Sequence, residues 1–123
     1  MVEMFVGTYT RKVQRVGWVR FPKDWLALLG DNREVFIMPA PGGGKSLLIV
    51  TAEEFRKELK RMAVEESPKG TRMTLVDSAI LVKIAVDGRM QIPASLFVHA
   101  GIQDSACFTG HIRTVVVMPI SLL

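Results

Sequence analysis

The chain has 123 residues, 49% of them hydrophobic and 23% charged, with a formal net charge of +4. That length and balance fit one globular domain with a core of useful size. Cys107 is the only cysteine, which excludes an internal disulfide and a cysteine-rich metal site. The apolar runs are short and broken by charge, so no segment reads as a transmembrane span.

The opening stretch MVEMFVGTYTRK lacks the basic-then-apolar order of a secretion signal, and the lone thiol of Cys107 fits a reducing cytoplasm. The charge is uneven. Residues 1–30 hold Arg11, Lys12, Arg15, Arg20 and Lys23 against Glu3 and Asp24. Residues 73–123 balance to zero. An excess of this size is modest, and its concentration near the start is what draws interest.

Met4 to Gln14 has strand content in Phe5, Val6, Thr8, Tyr9 and Val13. Gly17 supplies a turn, after which Val19 and Phe21 alternate with Trp18 and Arg20 as a second strand. Pro22 presets φ for a short helix through Trp25, Leu26 and Leu29, which Gly30 stops. Glu34 to Met38 and Leu47 to Val50 read as a β-hairpin around the loop PAPGGGK, Pro39 to Lys45. Gly44-Lys45-Ser46 looks like the end of a phosphate-binding loop. That pattern needs Gly where Pro39 stands and a helix after Ser46, so nucleotide binding is not expected.

Thr51 and Glu54 form a capping-box pattern, and Phe55, Leu59 and Met62 make one apolar stripe. They predict one longer helix at about 52–65, with Glu53 and Lys57 paired on its exposed side. Ser67-Pro68-Lys69-Gly70 turns the chain. Thr71 to Ser78 reads as a helical turn, followed by a strand into Ile84.

The chain then repeats itself. Ile84 to Gly101 matches Val13 to Gly30 at an offset of 71 residues, with Gly17/Gly88, Pro22/Pro93 and Gly30/Gly101 identical. Apolar positions match at Val13/Ile84, Val19/Met90, Phe21/Ile92, Trp25/Leu96 and Leu26/Phe97. A duplicated unit follows: strand, turn at Gly, strand, Pro, short helix, Gly stop. We read residues 1–123 as one domain with an internal repeat, 4–66 and 72–123. The second copy is expected to close with Ala106 to Thr109, a Gly110-His111 turn, and Thr114 to Met118. Val115 to Met118 is a candidate exposed edge, and such edges favour a homo-oligomer.

Catalytic chemistry finds little support. His99 and His111 have no carboxylate or cysteine near them in sequence, so no enzyme activity, metal, cofactor or small-molecule substrate is expected. Asp87 suits the turn before Gly88. Cys107, between Ala106 and Phe108, reads as a buried structural thiol. Trp18 at a turn is costly without a partner, so either the core or an interface takes it.

This order of elements resembles the MraZ family, whose halves are swapped-hairpin units like those of AbrB, SpoVT and the MazE antitoxins. The resemblance covers essentially the whole chain. It includes Met4-Phe5-x-Gly7, the helix Ala52 to Met62, and Phe108-Thr109-Gly110. Its most specific piece is Asp87-Gly88-Arg89-x-x-Ile92-Pro93 with the Gly101 stop. The resemblance implies an α+β, mainly β fold, in which two pseudo-symmetric swapped-hairpin halves form one small β-barrel-like domain. It further implies a bacterial, nucleoid-associated transcriptional regulator that forms ring-shaped homo-oligomers. Such proteins bind short direct repeats of double-stranded DNA, in the promoter of a division and cell-wall gene cluster.

The family signature is Asp-x-x-Gly-Arg in each half, with the Asp and Arg implicated in DNA contact. Here those stretches are Gln14-Arg15-Val16-Gly17-Trp18 and Ala85-Val86-Asp87-Gly88-Arg89. Arg89 alone keeps a polar signature position. Arg11, Lys12, Arg15, Arg20 and Lys23 flank the altered turn as candidate phosphate contacts, and Gln14 suits an adenine edge. The alternative reading is an oligomeric scaffold or interaction protein that keeps the fold without operator recognition.

Overall fold

Strands from the two halves of the chain share one sheet, each half's hairpin flanked by a strand of the other, and this sets the position of everything else. The computed structural model describes residues 4–30, 32–41, 44–64 and 78–120. The strands are β1 (Thr8–Lys12), β2 (Trp18–Arg20), β3 (Glu34–Pro39), β4 (Leu47–Thr51), β5 (Ile80–Lys83), β6 (Arg89–Gln91), β7 (Ser105–His111) and β8 (Thr114–Pro119). A 3-10 helix covers Lys23–Leu29, and two α-helices follow: α1 (Ala52–Val64) and α2 (Ala94–Ala100).

The larger sheet has the antiparallel order β1-β7-β8-β4-β3-β5, and a second sheet pairs β2 with β6. Exchange each strand for its counterpart, β1 for β5, β3 for β7 and β4 for β8, and the order reads the same from the other end. The fold is mainly β, with a few helices, as the sequence implied.

Several expectations need correction. The strands on either side of Gly17 do not form a ladder with each other. Residues Arg15–Gly17 make a 3-10 turn, and one bridge joins Gln14 to Trp18. The strands then part: β1 pairs with β7 and β2 with β6, all across the halves. Gly7, at φ +99°, also keeps Met4 to Gln14 from forming one continuous strand.

The expected barrel does not close either. β2 and β6 bond each other, so among the described residues β1 and β5 remain as opposite edges of the larger sheet. Val115 to Met118 is not an edge, because β8 lies between β7 and β4. The last turn falls at Ile112 and Arg113, with His111 still in β7. Gly110 serves close approach instead. A Cβ there would lie 2.5 Å from the Phe5 carbonyl carbon, where the N-terminal segment bridges to Ile112.

The core is built from equivalent positions. Val19 and Met90, Phe21 and Ile92, Trp25 and Leu96, and Leu29 and Ala100 are all buried, as are Ile37, Ile49, Phe108, Val115 and Val117. Trp25 is its aromatic centre, edge-on to Tyr9, Phe5 and Phe21 at centroid distances of 5.0, 5.7 and 5.8 Å. Each such pair adds about 0.5–1.5 kcal/mol beyond area burial. The Trp25 indole N–H donates to the Val6 carbonyl at 3.0 Å, fixing the N-terminal segment.

The two short helices differ in pitch. The Trp25 N–H bonds the Pro22 carbonyl, a 3-10 spacing, whereas the Phe97 N–H reaches the Pro93 carbonyl in α spacing. Both begin after the matched proline, and Gly30 and Gly101 end them.

Helix α1 covers a smaller apolar cluster of Met38, Val50 and Phe55, where Phe36 stacks on Phe55 at 4.3 Å. Thr51 caps it through its Oγ1, which accepts from the Glu54 N–H at 3.1 Å. Glu53 pairs with Lys57 at 3.4 Å as expected, while Glu54 is half-buried and reaches Arg113 of the second half at 3.8 Å. The Met62 side chain, the 67–70 turn and the helical turn read over 71–77 lie outside the described residues.

Gly17 has φ +82°, and a Cβ there would stand 2.7 Å from the Ile92 carbonyl oxygen. Gly44 has φ +91° with nothing within 4 Å. Both Gly→Ala changes meet the same backbone strain, and only the first also meets the second half of the chain. Urea unfolding of Gly17→Ala is expected to show a stability loss exceeding that of Gly44→Ala by about 2 kcal/mol.

Candidate functional site

Two turn tips meet at the β2–β6 pairing. In the first, the Gln14 N–H bonds the Trp18 carbonyl at 2.8 Å; in the second, the Ala85 N–H bonds the Arg89 carbonyl at 2.9 Å. The tips hold each other by a reciprocal exchange. The Phe21 N–H donates to the Gly88 carbonyl at 2.8 Å, and the Ile92 N–H to the Gly17 carbonyl at 3.0 Å. Between these bonds Trp18 faces Gln91, Val19 faces Met90 and Arg20 faces Arg89. The backbones can approach this closely only without a side chain at Gly17, where a Cβ would lie 2.7 Å from the Ile92 carbonyl oxygen; Gly88 is tighter than usual but not closed. A Cβ on Gly88 would lie 3.3 Å from the Phe21 carbonyl oxygen.

The result is an open concavity of ≈ 510 Å³ lined by Gln14, Arg15, Trp18, Ala85 and Arg89. Four of these five are the Asp and Arg positions of the two signature stretches. Sequence reasoning treated each stretch separately and did not name Trp18 or Ala85 as site residues. The constant offset between the stretches was the available signal that they form one surface.

Asp87 positions Arg89. Its Oδ1 accepts the Arg89 backbone N–H at 3.2 Å, and its Oδ2 lies 2.9 Å from the Arg89 Nε. The backbone N–H of Arg89 holds the Asp87 carboxyl below its usual range, and the charges of Arg89 and Arg20 act the same way against an opposing desolvation. Arg20 also donates from Nη1 to the Asp87 carbonyl at 3.3 Å. Asp87 thus serves the turn, as expected, and additionally orients the guanidinium of the second tip.

Trp18 is 43% exposed, which rules out the core as its place. Of the other sequence candidates, Arg20 sits opposite Arg89 on the paired strands. Arg11 and Lys12 do not line the concavity. They lie on edge strand β1, where Arg11 is half-buried and packs over the Tyr9 ring at 5.3 Å. Lys23 is exposed at the start of the 3-10 helix. Nearby, the Tyr9 hydroxyl donates to Asp24 Oδ2 at 2.7 Å, and this bond to the carboxylate raises the Tyr9 pKa.

Cys107 is buried, as the sequence indicated. His99 is exposed on α2 and His111 is exposed in β7. Among the described residues no three His, Cys, Asp or Glu side chains form a group able to hold a metal ion. Strand β4 follows Ser46, so the Gly44-Lys45-Ser46 stretch lacks the helix that a phosphate loop needs. No helix among the described residues is long and apolar enough to cross a membrane.

The chain matches no family model. Several curated proteins that it resembles are named as transcriptional regulators. Each of those compared is called transcriptional regulator MraZ. The chain is 26% identical over 114 residues to that of Rickettsia akari, covering 89% of this chain and 76% of the relative. It is 27% identical over 114 residues to that of Rickettsia peacockii, with the same coverage. To that of Hyphomonas neptunium it is 28% identical over 115 residues, covering 87% and 67%. The chain is thus a distant relative of proteins bearing that name.

A carboxyl held below its ordinary pKa stabilises the folded chain above that ordinary value, and the contribution is lost as pH falls through the folded pKa. Urea midpoints measured from about pH 6 to about pH 3 are expected to fall less steeply for Asp87→Asn than for the parent chain.

Proposed function

We propose that this chain is a DNA-binding transcriptional regulator of MraZ type, acting at the promoter of a division and cell-wall gene cluster. One observation carries the reading: all four signature contact positions line a single concavity that also holds Arg15. The similarity to proteins named transcriptional regulator MraZ supports it from a separate direction.

In this reading, residues 4–66 and 72–123 are two swapped-hairpin halves of one domain, exchanging β1 and β5 within the chain. The tips present Arg15, Arg20 and Arg89 to a duplex. Guanidinium groups on paired strands reach phosphates and guanine edges, and Gln14 reaches an adenine edge. Arg11 and Lys12 contribute charge from the neighbouring edge strand without entering the tip surface.

The assembled protein is a homo-oligomeric ring in the bacterial cytoplasm, on the nucleoid. Edge strand β5 exposes Leu81 (51% accessible), which a second copy would cover.

The scaffold reading has one observation in its favour. Gln14, Trp18 and Ala85 carry no charge at three of the four signature positions. Binding to DNA separates the two readings.

Titration against the DNA directly upstream of its own gene, at several salt concentrations, is expected to show tight binding at low salt that weakens steeply as salt rises. The Arg15→Ala/Arg89→Ala double variant is expected to lower the salt slope by about 2, near 0.9 per lost phosphate contact. No binding at low salt sinks the regulator reading and leaves the scaffold. Light scattering is expected to give a multiple of the monomer mass, and a monomer contradicts both readings.

A further inference from the structure

The two tips are equivalent in backbone and unlike in chemistry. Where the second tip has Arg89, the first has Trp18. The indole is 43% exposed on the rim of the concavity, beside Arg15, Gln14 and Arg89. A partly exposed indole beside two guanidinium groups in a concavity is suited to stacking an aromatic ligand.

The surrounding groups define what that is. Two guanidinium groups favour an anion with paired oxygens, and phosphate is the fork-shaped match. The Arg89 guanidinium is pre-oriented by Asp87 at 2.9 Å, so less freedom is lost on binding. The Gln14 amide offers a donor and an acceptor to a heteroaromatic edge. The indole offers a stacking face. A base inside an intact duplex shows only its edge, because its faces are covered by its neighbours. Stacking on Trp18 therefore needs a base outside the helical stack.

We infer that the concavity takes one unpaired nucleotide of a DNA strand, with its base on Trp18 and its flanking phosphates on Arg15 and Arg89. This rests on the DNA-binding reading and adds a preference for locally opened DNA. The volume of ≈ 510 Å³ lies within the roughly 300–1,000 Å³ span of small-ligand sites. Trp18 is then a specificity residue, supplying a broader, uncharged stacking face than a guanidinium at the same position would.

The test uses the full chain and three probes: a paired duplex from the region upstream of its gene, the same duplex with one unpaired 2-aminopurine, and the corresponding single strand. The parent chain is expected to bind the unpaired-base probe about 10-fold more tightly than the paired duplex and to quench its fluorescence. Trp18→Ala is expected to erase both the preference and the quench, and Trp18→Phe to retain part of each. Tighter binding of the opened duplex than of the single strand assigns the site to a base displaced from a duplex. The reverse order assigns it to a free strand, and either order supports the inference. Equal affinity of the parent chain for paired and unpaired probes overturns it. So does a preference that survives in Trp18→Ala, or a Trp18→Ala chain that changes its oligomeric mass while keeping the preference, which would assign the indole to a copy–copy interface. Failure to bind any probe at low salt removes the DNA-binding reading itself and this inference with it.

Discussion

The backbones of Gly17 and Ile92 meet at 3.0 Å, and those of Gly88 and Phe21 meet at 2.8 Å. The rest of the structure depends on this double contact. It joins two turn tips that lie 71 residues apart in sequence, and it leaves no room for a Cβ on the Gly17 side. With the tips locked, β2 pairs with β6. Strands β1 and β5 pair across the halves, with β7 and β3. Neither half contains a complete sheet of its own. Pairing across the halves is therefore what buries Val19 and Met90 in one shared core instead of two small ones.

Around that symmetric backbone the side chains have diverged. Ile92 is the counterpart of Phe21, Leu96 of Trp25 and Ala100 of Leu29, and all six are buried. A core tolerates such exchanges when total volume is kept, so the aromatic cluster around Trp25 needs no counterpart. The tips have diverged further, with Gln14 against Ala85 and Trp18 against Arg89. Those positions line an open surface, where packing does not restrict their chemistry. The backbone contact constrains where the tips stand and leaves open what they touch.

Much of this was legible in the sequence for a physical reason. Glycine at positive φ, proline before a helix and a capping threonine each leave a local mark. The matched Gly17/Gly88 and Pro22/Pro93 pairs therefore located both copies, and Thr51 located the start of α1. Strand pairing leaves no such mark. Nothing near Gly17 says that β1 will bond β7 in preference to β2. Gly110 looked like a turn residue because its real duty, clearance for the Phe5 backbone, comes from a segment about a hundred residues earlier. The same limit applied to the site. Charge in residues 1–30 was visible, but its division between the tip surface (Arg15 and Arg20) and edge strand β1 (Arg11 and Lys12) follows from pairing alone.

The joining of the two halves by the reciprocal Gly17–Ile92 and Phe21–Gly88 bonds is most directly tested by native-state hydrogen exchange of the Phe21 and Ile92 amides. The account predicts that both exchange at similarly slow rates and only through global unfolding, because opening either bond separates the halves. Fast exchange of one amide through local opening, with the other still protected, would contradict it.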